Sequence, residues 1–220
     1  MRQLILPVFL SPAATFENFY AGPNQHIVKY LHAPQEKFIF LTGVGKSHLL
    51  QAICQQKTTS LYLPFKQKSE FSPLILENLT QLDVVALDDI ELIAGDTDWE
   101  QAIFYLYNQQ YHQNKTLFIF SGAHSPRQMD FCLPDLTSRL QAVLQLNLQS
   151  LSDKDKQAAL QQRAQQQGFL LSDKVAHYLL AHTDRDLTAL FACLEKLDKL
   201  SLQEKRNLTI PFVKEVLCKN

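Results

Sequence analysis

The sequence has little of what would build a metal centre, a disulfide framework or a broad polyanion-binding face. Its four cysteines, Cys54, Cys132, Cys193 and Cys218, are scattered, with no CxxC pair and no histidine nearby. That spacing argues against zinc or disulfides and fits a reducing compartment. An excess of one charge is missing too: 21 basic and 22 acidic side chains leave a formal net charge of -1. Gripping nucleic acid over a wide face needs clustered Lys and Arg, so any DNA contact is expected to be local or indirect. No apolar run approaches membrane-spanning length. The opening MRQLILPVFLSP lacks a full hydrophobic region and a small-residue cleavage site, so no signal peptide is expected. The expectation is a cytoplasmic protein without a membrane segment. His26, His112 and His124 have no partners at ligand spacing, and no Ser-His-Asp or Cys-His arrangement stands out. There is no internal repeat and no long linker.

What is present is core-forming material. Hydrophobic residues make up 46% and charged residues 20% of the 220, which suits one α/β domain with a small helical appendage. Over the first ~150 residues, short apolar runs alternate with amphipathic stretches, the pattern of a parallel sheet flanked by helices. The runs at 38–41, 61–63, 84–87, 117–120 and 143–146 are expected to be strands covered on both faces. Helices are expected over 47–55 and 99–112, the second with Trp99, Ile103, Leu106 and Tyr107 on one face. After Leu148 the strand signal ends. Ser152 and Asp155 form a capping-box pattern, a Gln-rich helix runs to Gly168, and Ser172-Asp173 opens another. Leu187, Leu190, Phe191, Leu194 and Leu197 mark the buried stripe of a third, and Pro211 suits the first turn of a last helix carrying Phe212, Val213, Val216 and Leu217. The run 161–167 reads as a solvated helix face.

Gly43-Val44-Gly45-Lys46-Ser47 follows an apolar strand and opens a helix, where a phosphate-binding loop belongs. Glycines let the backbone approach phosphates, the helix N-terminus favours negative charge, Lys46 neutralises a phosphate and Ser47 places a hydroxyl near Mg²⁺. The full signature is GxxxxGK[ST], and its first glycine position holds Phe40. Either nucleotide binding is weakened or residues of the loop are missing from this chain; a plain strand-to-helix turn with a surface lysine is the other reading. Val84-Val85-Ala86-Leu87-Asp88-Asp89 then resembles a Walker B strand, with Asp88 for Mg²⁺ and Asp89 where a base or water-orienting group acts. A strand ending in a solvated acidic turn has the same pattern. Phe16, Phe19 and Tyr20 suit contact with an adenine base and simple packing equally.

The segments Leu87-Asp88-Asp89-Ile90-Glu91, Trp99-Glu100-Gln101-Ala102-Ile103-Phe104, Leu133-Pro134-Asp135-Leu136-Thr137-Ser138-Arg139-Leu140 and Leu208-Thr209-Ile210-Pro211-Phe212-Val213-Lys214-Glu215 resemble the Hda family of DnaA-related AAA+ proteins. The likeness spans almost the entire chain. DnaA itself continues into a helix-turn-helix domain that this sequence lacks, which separates the two. The resemblance implies an α/β AAA+ P-loop core with a parallel five-stranded sheet and an all-α lid, divided here as an N-terminal segment 1–10, a core 11–149 and a lid 150–220. It implies that Arg139 is an arginine finger offered to another subunit's triphosphate. It implies that Arg185, in Thr183-Asp184-Arg185-Asp186-Leu187, is the lid residue that contacts nucleotide. A surface salt bridge is the alternative for either arginine taken alone. Where the family has a polar residue after the fourth strand, the run Ser121-Gly122-Ala123-His124 puts Ala123, which counts against ATP turnover by the chain itself.

Gln3-Leu4-Ile5-Leu6-Pro7 resembles the pentapeptide by which this family docks on the bacterial sliding clamp. Leucines would fill a preformed groove, the glutamine would give directed hydrogen bonds, and proline lowers the ordering cost. An N-terminal strap packing Leu4 and Leu6 on the core is the alternative. The expected protein binds ADP or another nucleoside diphosphate, with or without Mg²⁺ on Ser47 and Asp88, between core and lid. It sits on the clamp, meets DNA mainly through it, and stimulates ATP hydrolysis by the initiator DnaA. A self-sufficient ATPase of the helicase-loader type and a nucleotide-free clamp-binding module are the competing readings; a homo-oligomer stays open.

Overall fold

The computed structural model describes residues 10–77, 79–111 and 115–218. The chain divides into two compact units, one through Ser150 and one from Leu151. The first unit is a parallel sheet of five strands, β1 (Phe38–Gly43), β2 (Ser60–Pro64), β3 (Val84–Asp88), β4 (Leu117–Gly122) and β5 (Leu144–Leu148), in the order β2-β3-β4-β1-β5. β4 thus lies between β1 and β3, in register Phe38 with Phe118 on one side and Val84 with Leu117 on the other.

Alternation along the strands separates two cores, because successive side chains leave a strand on opposite faces. Phe38, Phe40, Val85, Leu87, Phe118 and Phe120 pack with Trp99, Ile103, Leu106 and Tyr107 of α3 (Thr97–Tyr111) and Leu136 and Leu140 of α4 (Pro134–Ala142). Ile39, Leu41, Val84, Ala86 and Ile119 pack on the other side with Ile27, Val28 and Leu31 of α1 (Gln25–His32) and Leu49, Leu50 and Ile53 of α2 (Lys46–Gln55). The result is a three-layer α/β/α unit. The central strands are covered on both faces as their apolar runs predict. β2 and β5 are not: they form the two edges, β2 alternates buried Leu61 and Leu63 with half-buried Ser60, Tyr62 and Pro64, and β5 leaves Gln145 and Asn147 exposed, as half-covered strands do. Phe16 packs into the second core and stacks on His32, its centroid 4.0 Å away, which leaves this ring as packing.

The second unit holds α5 (Asp153–Gln166), α6 (Asp173–His182), α7 (Leu187–Glu204) and α8 (Ile210–Cys218) around Leu160, Ala176, Leu179, Leu190, Leu194, Leu197, Phe212 and Val213. The capping box is present: the Ser152 hydroxyl accepts from the Asp155 amide at 3.2 Å and the Asp155 carboxylate accepts from the Ser152 amide at 3.2 Å. The Gln-rich face of α5 is not merely solvated. Gln161 donates to the Asp173 carboxylate at 2.7 Å and to the Leu171 carbonyl at 3.2 Å, tying α5 to the start of α6. Among the described residues no helix is long and apolar enough to cross a membrane.

The β5 edge is secured by a side chain acting as a strand partner. Asn24, just before α1 and 2% exposed, donates from Nδ2 to the Gln149 carbonyl at 2.9 Å and accepts from the Gln149 amide at 2.7 Å. Asn24→Ala removes both bonds and leaves two backbone groups without them. It is expected to destabilise the first unit by about 2–3 kcal/mol, read as a lowered urea midpoint at constant slope. A change within about 0.5 kcal/mol would show that solvent replaces both bonds.

Candidate functional site

The nucleotide motifs meet at the C-terminal ends of β1, β3 and β4, where an open parallel sheet presents its loops. β1 passes through a turn of only two residues, Val44 and Gly45, into α2. Gly43 and Gly45 both have φ near +95°. A methyl group on Gly43 would lie 2.1 Å from the Leu148 carbonyl oxygen of β5, so the approach of that backbone admits only glycine. Beside Gly45 lies the Phe19 ring, 2.8 Å from where a Cβ would stand, with His48 at 5.3 Å between ring centroids. The first amides of α2 have no acceptor inside the helix and carry its positive end. Lys46 and half-buried Ser47 belong to that first turn, while Val44 is exposed on the turn itself. These groups fit an anionic phosphate at the helix start. The two-residue turn does not supply the ring of further amides that a full-length loop wraps around a polyphosphate.

Two carboxylates end β3, and their surroundings differ sharply. Asp88, 1% exposed, accepts from the Tyr62 hydroxyl at 2.6 Å and from the Ser121 hydroxyl through a short bond. Burial and the Asp88 charge push the Tyr62 hydroxyl well above its ordinary range, so it stays a donor. Asp89 faces the other way. Its Oδ1 lies 3.1 Å from Lys46 Nζ, and its Oδ2 lies 2.8 Å from Lys66 Nζ, at ion-pair distance without hydrogen-bond alignment. Burial by itself raises the Asp89 carboxyl; the Lys66 and Lys46 ammonium groups outweigh it and leave the group below its usual range. Asp89 adopts a left-handed backbone, φ 56°, and its amide donates to Ser121 Oγ at 3.1 Å. Glu91 accepts from the Ala123 amide at 3.1 Å, so the alanine is held through its backbone. A Mg²⁺ ion bound directly to Asp88 would have to share oxygens that already accept the Tyr62 and Ser121 hydroxyls, on a residue only 1% exposed, so this donor set fits direct coordination by Ser47 and Asp88 poorly. Among the described residues no group of three His, Cys, Asp or Glu side chains could hold a metal ion.

Arg139 lies on α4, exposed, with its guanidinium 5.8 Å from the centroid of the Tyr107 ring. Among the described residues it has no ion-pair partner. The helix start that carries it is anchored by Glu100, a fully buried residue in the first turn of α3. Glu100 Oε1 accepts from the Gly95 and Cys132 amides at 2.8 and 3.0 Å, and Oε2 from the Leu133 amide at 2.7 Å. Three backbone donors satisfy the carboxylate without a cation. Arg185 belongs to the second unit. Its side chain is 70% exposed and 3.8 Å from Asp153, beside a cavity of about 240 Å³ lined also by Gln157, His177 and Leu180. The segment Gln3, Leu4, Ile5, Leu6 and Pro7 lies outside the described residues.

Residues 153–217, the helical unit, match the family model described as Hda, lid domain. The chain is also similar in structure to domain III of the replication initiation protein DnaA from Thermotoga maritima, with a TM-score of 0.78 and 19% identity over 96% of this chain and 98% of that one. The helical unit thus resembles the lid of Hda, and the fold is that of the DnaA structures. Two further similar structures are a DnaA bound to AMPPCP and single-stranded DNA, with a TM-score of 0.71 and 21% identity over 90% and 70% of the two chains, and AMPPCP-bound DnaA from Aquifex aeolicus, with 0.68 and 20% over 90% and 69%. At such identities these likenesses show the fold alone, and the family match covers the helical unit.

Within this AAA+ core the structure brings Gly43, Val44, Gly45, Lys46, Ser47, Asp88 and Asp89 to one end of the sheet, and adds Tyr62, Lys66 and Ser121, which sequence reasoning missed. Ser121 was in view as part of the run after the fourth strand, but the polar position was sought at Ala123. The hydroxyl reaches the site from two residues earlier. Lys66 carried no signal, because a lone lysine after an edge strand has no motif around it.

The Asp89 carboxyl is held below its ordinary value of 3.8. Its stabilising contribution is therefore complete above that value and is lost as pH falls through the lowered folded-state value. Asp89→Asn is expected to be less stable than the parent at neutral pH, with the two urea midpoints converging only below about pH 4. Midpoints that already coincide at neutral pH would show that the two lysines contribute nothing through Asp89.

Proposed function

We propose that this chain is a cytoplasmic regulator of replication initiation that acts on the ATP of a partner. It binds ADP or another nucleoside diphosphate at the start of α2, with Lys46, Ser47 and Asp89 as its polar frame and Asp88 behind them. Gln3, Leu4, Ile5, Leu6 and Pro7 tether it to the DNA polymerase sliding clamp, which brings it to DNA indirectly. It then presents Arg139 to ATP held by the initiator DnaA, whose hydrolysis turns the initiator off and prevents over-initiation. Arg185 keeps the role of a lid cation for bound nucleotide.

The observation that carries this reading is the state of Arg139: exposed, without a carboxylate partner among the described residues, on a helix whose start is pinned by buried Glu100. A surface arginine in a salt bridge would have to give up its partner before meeting a phosphate; this one does not. A planar guanidinium delivered in trans stabilises charge on the transferred phosphoryl group, an effect on the order of 10³–10⁵ in rate. The Hda lid match and the AMPPCP bound by the similar DnaA structures support the partner and the nucleotide class. The two-residue turn favours one other reading, a clamp-binding module that takes no nucleotide.

Arg139→Ala is expected to lower the stimulated initiator ATPase rate by about 10³-fold while clamp binding is retained; unchanged stimulation refutes the finger. Replacing Leu4 and Leu6 together by Ala is expected to abolish capture by immobilised clamp, since two apolar anchors leave the groove. Persistent capture would move the clamp contact elsewhere on the chain.

A further inference from the structure

We infer that the diphosphate site works without a divalent metal, and that Lys66 supplies the positive charge a metal would otherwise bring. The inference rests on the nucleotide reading of the preceding subsection. It begins with the four oxygens at the end of β3: three accept a hydrogen bond, and the fourth, Asp89 Oδ2, faces Lys66 Nζ at 2.8 Å. Asp88 is closed by the Tyr62 and Ser121 hydroxyls, and Asp89 is bracketed by Lys46 and Lys66. Opening Asp88 for a metal carries a structural cost. Ser121 Oγ also accepts the amide of Asp89 at 3.1 Å and so holds the left-handed backbone at that residue. Tyr62 is the hydroxyl of a half-buried edge-strand residue that also meets Gln51 of α2 at 3.5 Å.

The two lysines are not equivalent. The Lys46 side chain is 16% exposed and fixed at the helix start; that of Lys66 is 71% exposed, on the turn that follows β2. A long exposed side chain can exchange a carboxylate for a phosphate oxygen at little cost, whereas the buried one is placed in advance. The neighbouring cation Lys68 is engaged elsewhere, 3.4 Å from Asp96. Lys46 and Lys66 stand on opposite oxygens of one carboxylate, so an anion at the start of α2 meets one ammonium directly and has the second beside it. The short turn makes this useful. It withholds amides that a longer loop would aim at a second phosphate, and a mobile ammonium replaces them with a charge-assisted bond.

The test is calorimetric titration of the full chain with ADP, in excess EDTA and again in millimolar Mg²⁺, for the parent, Lys46→Ala and Lys66→Ala. The parent is expected to bind equally in both buffers, within about twofold. Lys66→Ala is expected to bind about tenfold more weakly or worse in EDTA and to recover part of that loss with Mg²⁺, because Asp89 then has a free oxygen for the metal. Parent binding that vanishes in EDTA overturns the inference, as does a Lys66→Ala variant that binds like the parent in EDTA. Lys46→Ala separates the two levels: if the parent binds and this variant binds as tightly, the nucleotide reading is wrong, and no binding by the parent in either buffer sinks both. Since Lys66 is exposed, its variant is expected to fold, and a matching thermal midpoint confirms that a lost affinity is local.

Discussion

Everything at the C-terminal end of this sheet turns on how one carboxylate is shared. Asp89 takes Lys46 on one oxygen and Lys66 on the other, in a pocket where its own burial would otherwise raise its pKa. That arrangement fixes the lysine of the helix start, neutralises the end of β3, and sends the neighbouring Asp88 inward to two hydroxyls. Ser121 joins the two halves, donating to Asp88 and accepting from the Asp89 amide, so β3 and β4 share one polar junction at the mouth of an otherwise apolar sheet.

A third buried carboxylate orders the start of α4. Glu100 satisfies the amides of Gly95, Cys132 and Leu133, and the last of these is the residue that leads into α4. An anion met by three backbone donors is rigid without an opposing side chain. The proposed function divides the labour within one domain. The two lysines at the sheet end are matched to one carboxylate, Asp89, an arrangement suited to an anionic ligand. The arginine on α4 has no carboxylate partner among the described residues and stands beside an aromatic ring, an arrangement suited to another molecule's charge.

Much of the fold was legible because the apolar runs were compact and the helix signals unambiguous. All five strands and the capping box at Ser152 followed from composition and spacing alone, and the lid helices from their stripes. Only the coverage of the edges β2 and β5 was misjudged, for a physical reason: their leucines read as core runs, while Tyr62 in one and Gln145 and Asn147 in the other marked a half-covered strand. Gln161 looked like surface because a glutamine gives no periodic signal, yet it bonds across to the next helix. At the site, Lys46, Asp88 and Asp89 stood out through their motifs. Lys66, Tyr62 and Ser121 did not, because their roles come from strand order: β3 is flanked by β2 and β4, and only that neighbourhood brings a tyrosine, a serine and a second lysine to the same two carboxylates.

The central claim is that a chain with a modest nucleotide site of its own controls the triphosphate of another protein. Its most direct test is a single-turnover measurement of ATP preloaded on the initiator, with DNA-loaded clamp present throughout and this chain added in its ADP form. The account predicts that adding the chain accelerates conversion of bound ATP to ADP, and that leaving out either the chain or the clamp removes the acceleration. A decay rate unaffected by the chain, at concentrations where it occupies the clamp, would contradict the account.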